Sequence, residues 1–185
     1  LEGWLDIFAA NGHIDEEIGR VQPKVAFRQP SLLFRNNGRG GFENVSSSAG
    51  SAMQTPMVAR GAAWADYDRD GDLDVLVSEN HGPARLFRND GGNANQWIQV
   101  KLEGKGTNRS AIGSTVKVGG QWRTVQTGSS YCSQSDLALT FGLGRESRPV
   151  TVDVVWPGGA SSRFAGLTPG KRYVISEGAG VRQAP

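Results

Sequence analysis

Cysteine, histidine and methionine are nearly missing from this sequence, with one, two and two residues respectively in 185. Cys132 alone can close no intramolecular disulfide and cannot build a cysteine-based zinc site, and it leaves the redox compartment open. His13 and His81 both precede Cys132, so the serine-rich stretch around it (Ser129, Ser130, Ser133, Ser135) has no following histidine to act as base. A Gly-x-Ser-x-Gly elbow is absent as well. The sequence therefore reads as non-enzymatic, with no catalytic residue and no organic cofactor site. No apolar run approaches the roughly 20 residues that a spanning helix needs. The opening LEGWLDIF carries neither a basic n-region nor a cleavage site, so any export signal is expected upstream. An excess of one charge is lacking too: 20 basic and 18 acidic residues are intermixed for a net +2, which indicates neither a nucleic-acid footprint nor a polybasic membrane patch.

Glycine and proline are plentiful, at 26 and 8 residues, and they punctuate short apolar runs in the manner of a strand-and-turn protein. The fold class expected is all-β, with length enough for two small cores. An internal repeat organises the first half. Leu5-Asp6-Ile7-Phe8 aligns with Leu73-Asp74-Val75-Leu76 at an offset of 68, bringing His13 onto His81. Leu33-Phe34-Arg35-Asn36-Asn37-Gly38 then aligns with Leu86-Phe87-Arg88-Asn89-Asp90-Gly91 at an offset of 53. About 15 extra residues thus lie inside the first copy, in the polar stretch ending near Pro30. Self-similar β units of this size suggest propeller blades, the first of them incomplete and closed by a strand at Phe42 to Val45. Two blades cannot close a ring, so their edge strands must be covered by the rest of the chain, by further blades or by self-association.

From Gln96 the pattern changes. Apolar or alternating runs at Trp97–Leu102, Ser114–Val118, Trp122–Thr127, Leu137–Phe141, Val150–Trp156 and Arg172–Ile175 predict a small sandwich or barrel. Gly119-Gly120 is a two-residue hairpin signal, and Pro157-Gly158 a Pro-then-Gly turn in which Gly158 would take the positive φ. The expected division is repeats over 1–95, a β domain over 96–178 and a frayed tail over 179–185.

The segment Asp66 to Asp74, DYDRDGDLD, holds five carboxylates in nine residues. Without a cation they repel one another, whereas a hard divalent ion takes six to eight oxygens and gains from each. Asp66, Asp68, Asp70 and Asp74 occupy positions 1, 3, 5 and 9, Gly71 permits the bend at position 6, and Asp72 would offer its backbone carbonyl from position 7. Calcium suits this set better than magnesium. Val77 stands where an EF-hand needs a bidentate Glu, and the flanks GAAWA and LDVLVS read as strands, so the site expected is strand-loop-strand.

Gly61 to Val77 followed by Leu86-Phe87-Arg88-Asn89 resembles an FG-GAP/VCBS repeat, the calcium-binding blade of integrin-type propellers. Asn108 to Gly113, Tyr131 to Asp136, Phe141-Gly142-Leu143-Gly144 and Val155-Trp156-Pro157-Gly158-Gly159 resemble the ASPIC/UnbV domain that follows such repeats. Together they are similar to the cartilage-acidic-protein-like family, although Thr140 stands where that family usually has His. The resemblance implies a secreted, periplasmic or cell-surface, calcium-binding adhesion or interaction module for an unidentified protein or glycan ligand, without catalysis. A second reading is an accessory or structural region of a larger exported enzyme whose catalytic part lies upstream.

Other residues weigh toward structure. The repeated Arg35 and Arg88 suggest blade-to-blade donors, and His13 and His81 suggest turns. Trp97, Trp122, Tyr131 and Trp156 are expected in the core more than on a sugar-stacking face. Asn44-Val45-Ser46 and Asn108-Arg109-Ser110 are glycosylation sequons only in a eukaryotic secretory setting.

Overall fold

A computed structural model describes residues 1–184. Frequent glycines confine α-helix, among these residues, to α1 (Ile18–Val21), and the apolar runs pair as strands. The first repeat forms a three-stranded antiparallel sheet of β1 (Ile7–Ala9), β2 (Leu32–Asn36) and β3 (Phe42–Asn44), in that order. The second forms another from β4 (Ala59–Ala65), β5 (Asp74–Glu79) and β6 (Arg85–Phe87). Period-2 alternation puts Ala62, Val75, Val77 and Phe87 on one face of this sheet, and they pack with Met57 against Phe8 and Ala10 of the first repeat. The Phe8 and Phe87 ring centroids lie 6.0 Å apart.

The repeat is visible atom by atom. Asp6 Oδ1 accepts the Asn36 N–H at 2.8 Å, and Asp74 Oδ1 accepts the Asn89 N–H at the same 2.8 Å, at the two offsets read from the sequence. Each Asn then turns its own side chain onto the backbone N–H of the glycine two residues on, Gly38 or Gly91. The inserted stretch folds over the joint between the sheets. It buries Ile18 and sends Arg28 to Glu79, whose side chain is only 1% exposed and also meets Arg85 and the Val58 N–H.

The second half is a sandwich of two four-stranded sheets, not a closed barrel. One has the order β10 (Leu139–Gly144), β7 (Gln96–Glu103), β13 (Lys171–Ser176), β14 (Gly180–Gln183), with β7 and β13 parallel. The other runs β12 (Ser161–Leu167), β11 (Val150–Val155), β8 (Thr115–Val118), β9 (Gln121–Thr124). Their inner faces bury Ile98, Val100, Val116, Val118, Phe141, Val152, Val154 and Ile175, each worth about 1.5–3 kcal/mol when taken from water.

Several expectations change. The segment read as a frayed tail pairs with β13 through Gly180–Gln183, its register running from Tyr173↔Gln183 to Ser176↔Gly180; Pro185 lies outside the described residues. Strand β12 went unpredicted because Ser161-Ser162-Arg163 is polar and its inward residues are few. In the turn before it the positive φ, 84°, belongs to Gly159 and not to Gly158. Arg35 pairs with Glu43 across its own hairpin and Arg88 with Asp90 in the turn after β6, instead of bridging blades. Of the four aromatics expected inside, Trp156 is buried, whereas Trp122 and Tyr131 are exposed. Both sequon asparagines are engaged in turns, Asn44 by Ser46 and Asn108 by Ile112.

The free edge of β4 is covered by the sandwich domain's arm, residues 129–136. Ser130 and Ser135 hydroxyls accept the Ala62 and Trp64 N–H groups at 3.2 Å each, and the Asp136 N–H donates to the Trp64 carbonyl at 3.0 Å. Gly61 admits the arm, since a Cβ there would lie 2.2 Å from Ser133 Oγ.

Glu79 provides a test of this joint. Burial acts to raise its carboxyl, but the Val58 N–H, Arg85 and Arg28 outweigh that and hold it below the ordinary 4.5. A depressed carboxyl contributes stability above its unfolded pKa and loses it as pH falls through the folded one. With both arginines partly exposed, Glu79→Gln should cost about 1–2 kcal/mol at pH 7. Melting curves of the two proteins should converge on acidification below the ordinary glutamate value, and a gap unchanged at pH 3 would remove the ion pair from the account.

Candidate metal centre

Strands β4 and β5 are paired at Ala65↔Asp74, so the chain leaves the sheet at Asp66 and re-enters it at Asp74. That closure brings the two ends of the acidic loop side by side. Asp66, Asp68 and Asp74 each place a carboxylate oxygen within 4.8 Å of the others. Asp74 is 1% exposed and is held at both oxygens, Oδ1 by the Asn89 N–H and Oδ2 by the Tyr67 N–H at 2.9 Å. Asp68 is exposed. Asp66 differs from both, because its two carboxylate oxygens are buried and neither accepts a well-aligned hydrogen bond, the Gly71 and Arg69 N–H groups lying near but off line.

The side chains of Asp70 and Asp72 turn elsewhere. Asp70 accepts the Asp72 N–H at 3.1 Å and the Asn93 side-chain amide at 2.8 Å. Asp72, fully buried, accepts the Gly92 and Asn93 N–H groups on Oδ2 at 2.9 and 3.2 Å and leaves Oδ1 unpartnered. Of the five aspartates read from the sequence, three converge and two brace the loop against the turn that follows β6.

The electrostatics follow the burial. Asp66 is raised above its ordinary 3.8, first by burial, against the pull of the Gly71 backbone and of Arg172, with Asp70 adding repulsion. Asp72 is pushed up to about 6, again by burial first and by the Asp70 charge second. A buried carboxylate without donors costs several kcal/mol unless a charge meets it. Buried oxygens without a well-aligned donor, facing two further carboxylates, suit a hard cation and offer nothing to an anion. The residues present therefore fit calcium, with Asp66, Asp68 and Asp74 as the side chains that would hold it and neutralisation of the loop as what the ion would supply.

The bend requires glycine twice over. Gly71 has φ 104°, and a Cβ on it would fall 2.0 Å from Trp97 Cε2. Asn89, Asn93 and Trp97 lie outside the loop and were not singled out for it. Asn89 was detectable as the end of the repeated Leu-Phe-Arg-Asn motif, whereas Asn93 and Trp97 sit where the repeat has ended and carry no local signal.

Residues 2–77 match the FG-GAP-like repeat family and residues 104–182 match the ASPIC and UnbV family. Cartilage acidic protein 1 from Mus musculus is 26% identical over 166 residues, and that from Xenopus tropicalis 27% over 164; each comparison covers 83% of this chain and 25% of the relative. The human protein of the same name is 25% identical over 166 residues, with the same coverage. The chain thus spans about a quarter of the length of these relatives. No helix among the described residues is long and apolar enough to cross a membrane.

Replacing Gly71 by Ala should strain the left-handed backbone and press on Trp97, costing about 2–4 kcal/mol. Denaturant titration followed by Trp fluorescence checks this, and an unchanged midpoint would mean that Trp97 does not seat on the bend.

Proposed function

We propose that this chain, whose two halves match the FG-GAP-like repeat and the ASPIC and UnbV family, is a calcium-binding, non-catalytic interaction or adhesion module that works outside the cytoplasm. The observation carrying the reading is the Asp66 carboxylate, buried at the end of β4, where the Gly71 and Arg69 N–H groups lie near it without forming a well-aligned bond, and facing Asp68 and Asp74. In this reading the Asp72 carbonyl joins those three in the ligand set and water completes it, while Asp70 braces the loop through Asn93. The ion's task is structural: it fixes the hairpin end that aligns β4 with β5. The division into repeats over 1–95 and a β domain from 96 belongs to the same reading.

An exposed apolar cluster supports interaction as the role. Tyr67, Leu76 and Leu86, with the Ala63 to Ala65 stretch of β4, line a cleft of about 310 Å³ beside the loop, Leu76 and Leu86 lying on the blade face turned away from the core. Contact area of that kind, rimmed by Gln134 and Asp136, suits a protein or glycan ligand. The name shared by the relatives, cartilage acidic protein 1, accords with an extracellular setting, where calcium is abundant.

Calorimetry should find one calcium with a Kd on the order of 0.1–1 mM, as extracellular modules have. Calcium bound only by the folded state adds RT ln(1 + [L]/Kd), about 1.4 kcal/mol at tenfold over Kd, enough for several degrees of melting temperature. Asp68→Ala should lose that increment in calcium while melting like wild type in chelator. Equal destabilisation in both conditions would show Asp68 to be a hydrogen-bonded turn residue with no ion to hold.

A further inference from the structure

We infer that the acidic loop is a joint between the two halves of the molecule: Trp97 and Arg172 of the sandwich, with Asn93 of the connector, hold the loop in its ligating form, so that binding the cation and docking the sandwich are coupled. The inference rests on the calcium reading above and adds to it the residues that position the ligands.

The donors that steady the loop from outside come largely from beyond the repeat. The Gly92 and Asn93 N–H groups take Asp72 Oδ2, and the Asn93 amide takes Asp70 Oδ2, which leaves Asp66, Asp68 and Asp74 to converge. Trp97, the second residue of β7, lays its indole on Gly71, and its carbonyl accepts the Gly170 N–H at 2.7 Å just before β13 begins. Arg172, the second residue of β13, reaches across to donate to the Arg69 carbonyl at 3.1 Å. Arg69 is the other loop residue in the left-handed region, at φ 65°, a conformation that a non-glycine residue keeps only when its surroundings hold it. Strands β7 and β13 are parallel neighbours, with Gln99 opposite Arg172, so the starts of both strands face the same loop.

The consequence is reciprocal. Whatever the docked sandwich adds to ion affinity by fixing Arg69 and Gly71, the bound ion adds to docking. Arg172, Trp97 and Asn93 are positioning residues here: they touch the loop and not the ion.

Hydrogen exchange on the full chain, with calcium and with chelator, separates this from a purely local site. Calcium should slow exchange in residues 66–77 and also in residues 96–98 and 170–173, by about fivefold or more. Arg172→Ala should still bind calcium, with an affinity weakened by about fivefold or more, and should lose the added protection in residues 96–98 and 170–173. Arg172→Lys keeps a donor for the Arg69 carbonyl and should recover most of both, while Asn93→Ala should weaken affinity in the same direction. Protection confined to residues 66–77 in the wild type overturns the coupling and leaves the calcium site standing. Wild-type affinity and sandwich protection in both Arg172→Ala and Asn93→Ala overturn it as well. No binding heat and no protection anywhere would remove the ion itself and the coupling with it.

Discussion

Five carboxylates within nine residues repel one another, and much of the local structure is arranged against that repulsion. Backbone and amide donors are spent unevenly. Asp70, Asp72 and Asp74 receive them from Asp72, Gly92, Asn93, Tyr67 and Asn89, while Asp66 has only the ill-aligned N–H groups of Gly71 and Arg69 near it. A turn that merely tolerated acids would leave them in water. Here the acid with the least donation is buried at the loop's entry, and Asp72 Oδ1 is buried and unpartnered as well. The burial that raises Asp66 and Asp72 is thus the same fact that suits the loop to a cation.

Comparison of the two repeats separates two tasks that coincide at Asp74. In the first copy Asp6 keeps the bond to the N–H of Asn36. The aspartate-to-asparagine clasp therefore ties two neighbouring strands in each copy, β1 to β2 in the first and β5 to β6 in the second. In the second copy Asp74 keeps that clasp on Oδ1 and also closes the loop by accepting Tyr67 on Oδ2. The clasp is the architectural element common to both copies, and in the second the acidic loop closes on the same aspartate.

This difference also explains what could be read from the sequence. Residues whose role is periodic were legible: the alternating strands, the paired offsets of 68 and 53, the aspartates at alternate loop positions and the glycine between them. Residues whose role depends on the meeting of distant segments were not. Trp97 looked like a core aromatic because its strand is apolar, and nothing local marks that it ends on Gly71. Arg172 looked like any surface charge on a strand, although its contact lies 103 residues away. The assignment of Asp70 and Asp72 to side-chain and carbonyl roles used the loop alone, and the turn at Gly92 that competes for their oxygens lies outside it. The tail misread as frayed shows the same limit, since Gly180–Gln183 is polar and becomes a strand only because β13 presents an edge.

The way β4 is finished bears on how the repeat can be approached. A bare strand edge invites another chain to add itself through backbone hydrogen bonds. Cys132, at φ 47°, keeps residues 129–136 from running on as a strand of their own, so the arm meets the edge chiefly through the hydroxyls of Ser130 and Ser135. Hydroxyls satisfy the outward N–H groups of Ala62 and Trp64 without presenting a new row of donors and acceptors beyond them. The edge is closed and the sheet does not grow. The face of the same sheet is left open, with Leu76 and Leu86 about half exposed beside Tyr67. A partner reaching this blade from the β4 side meets serine side chains and an exposed Tyr131, so apolar contact with the face, not strand addition, is the interaction the geometry permits there.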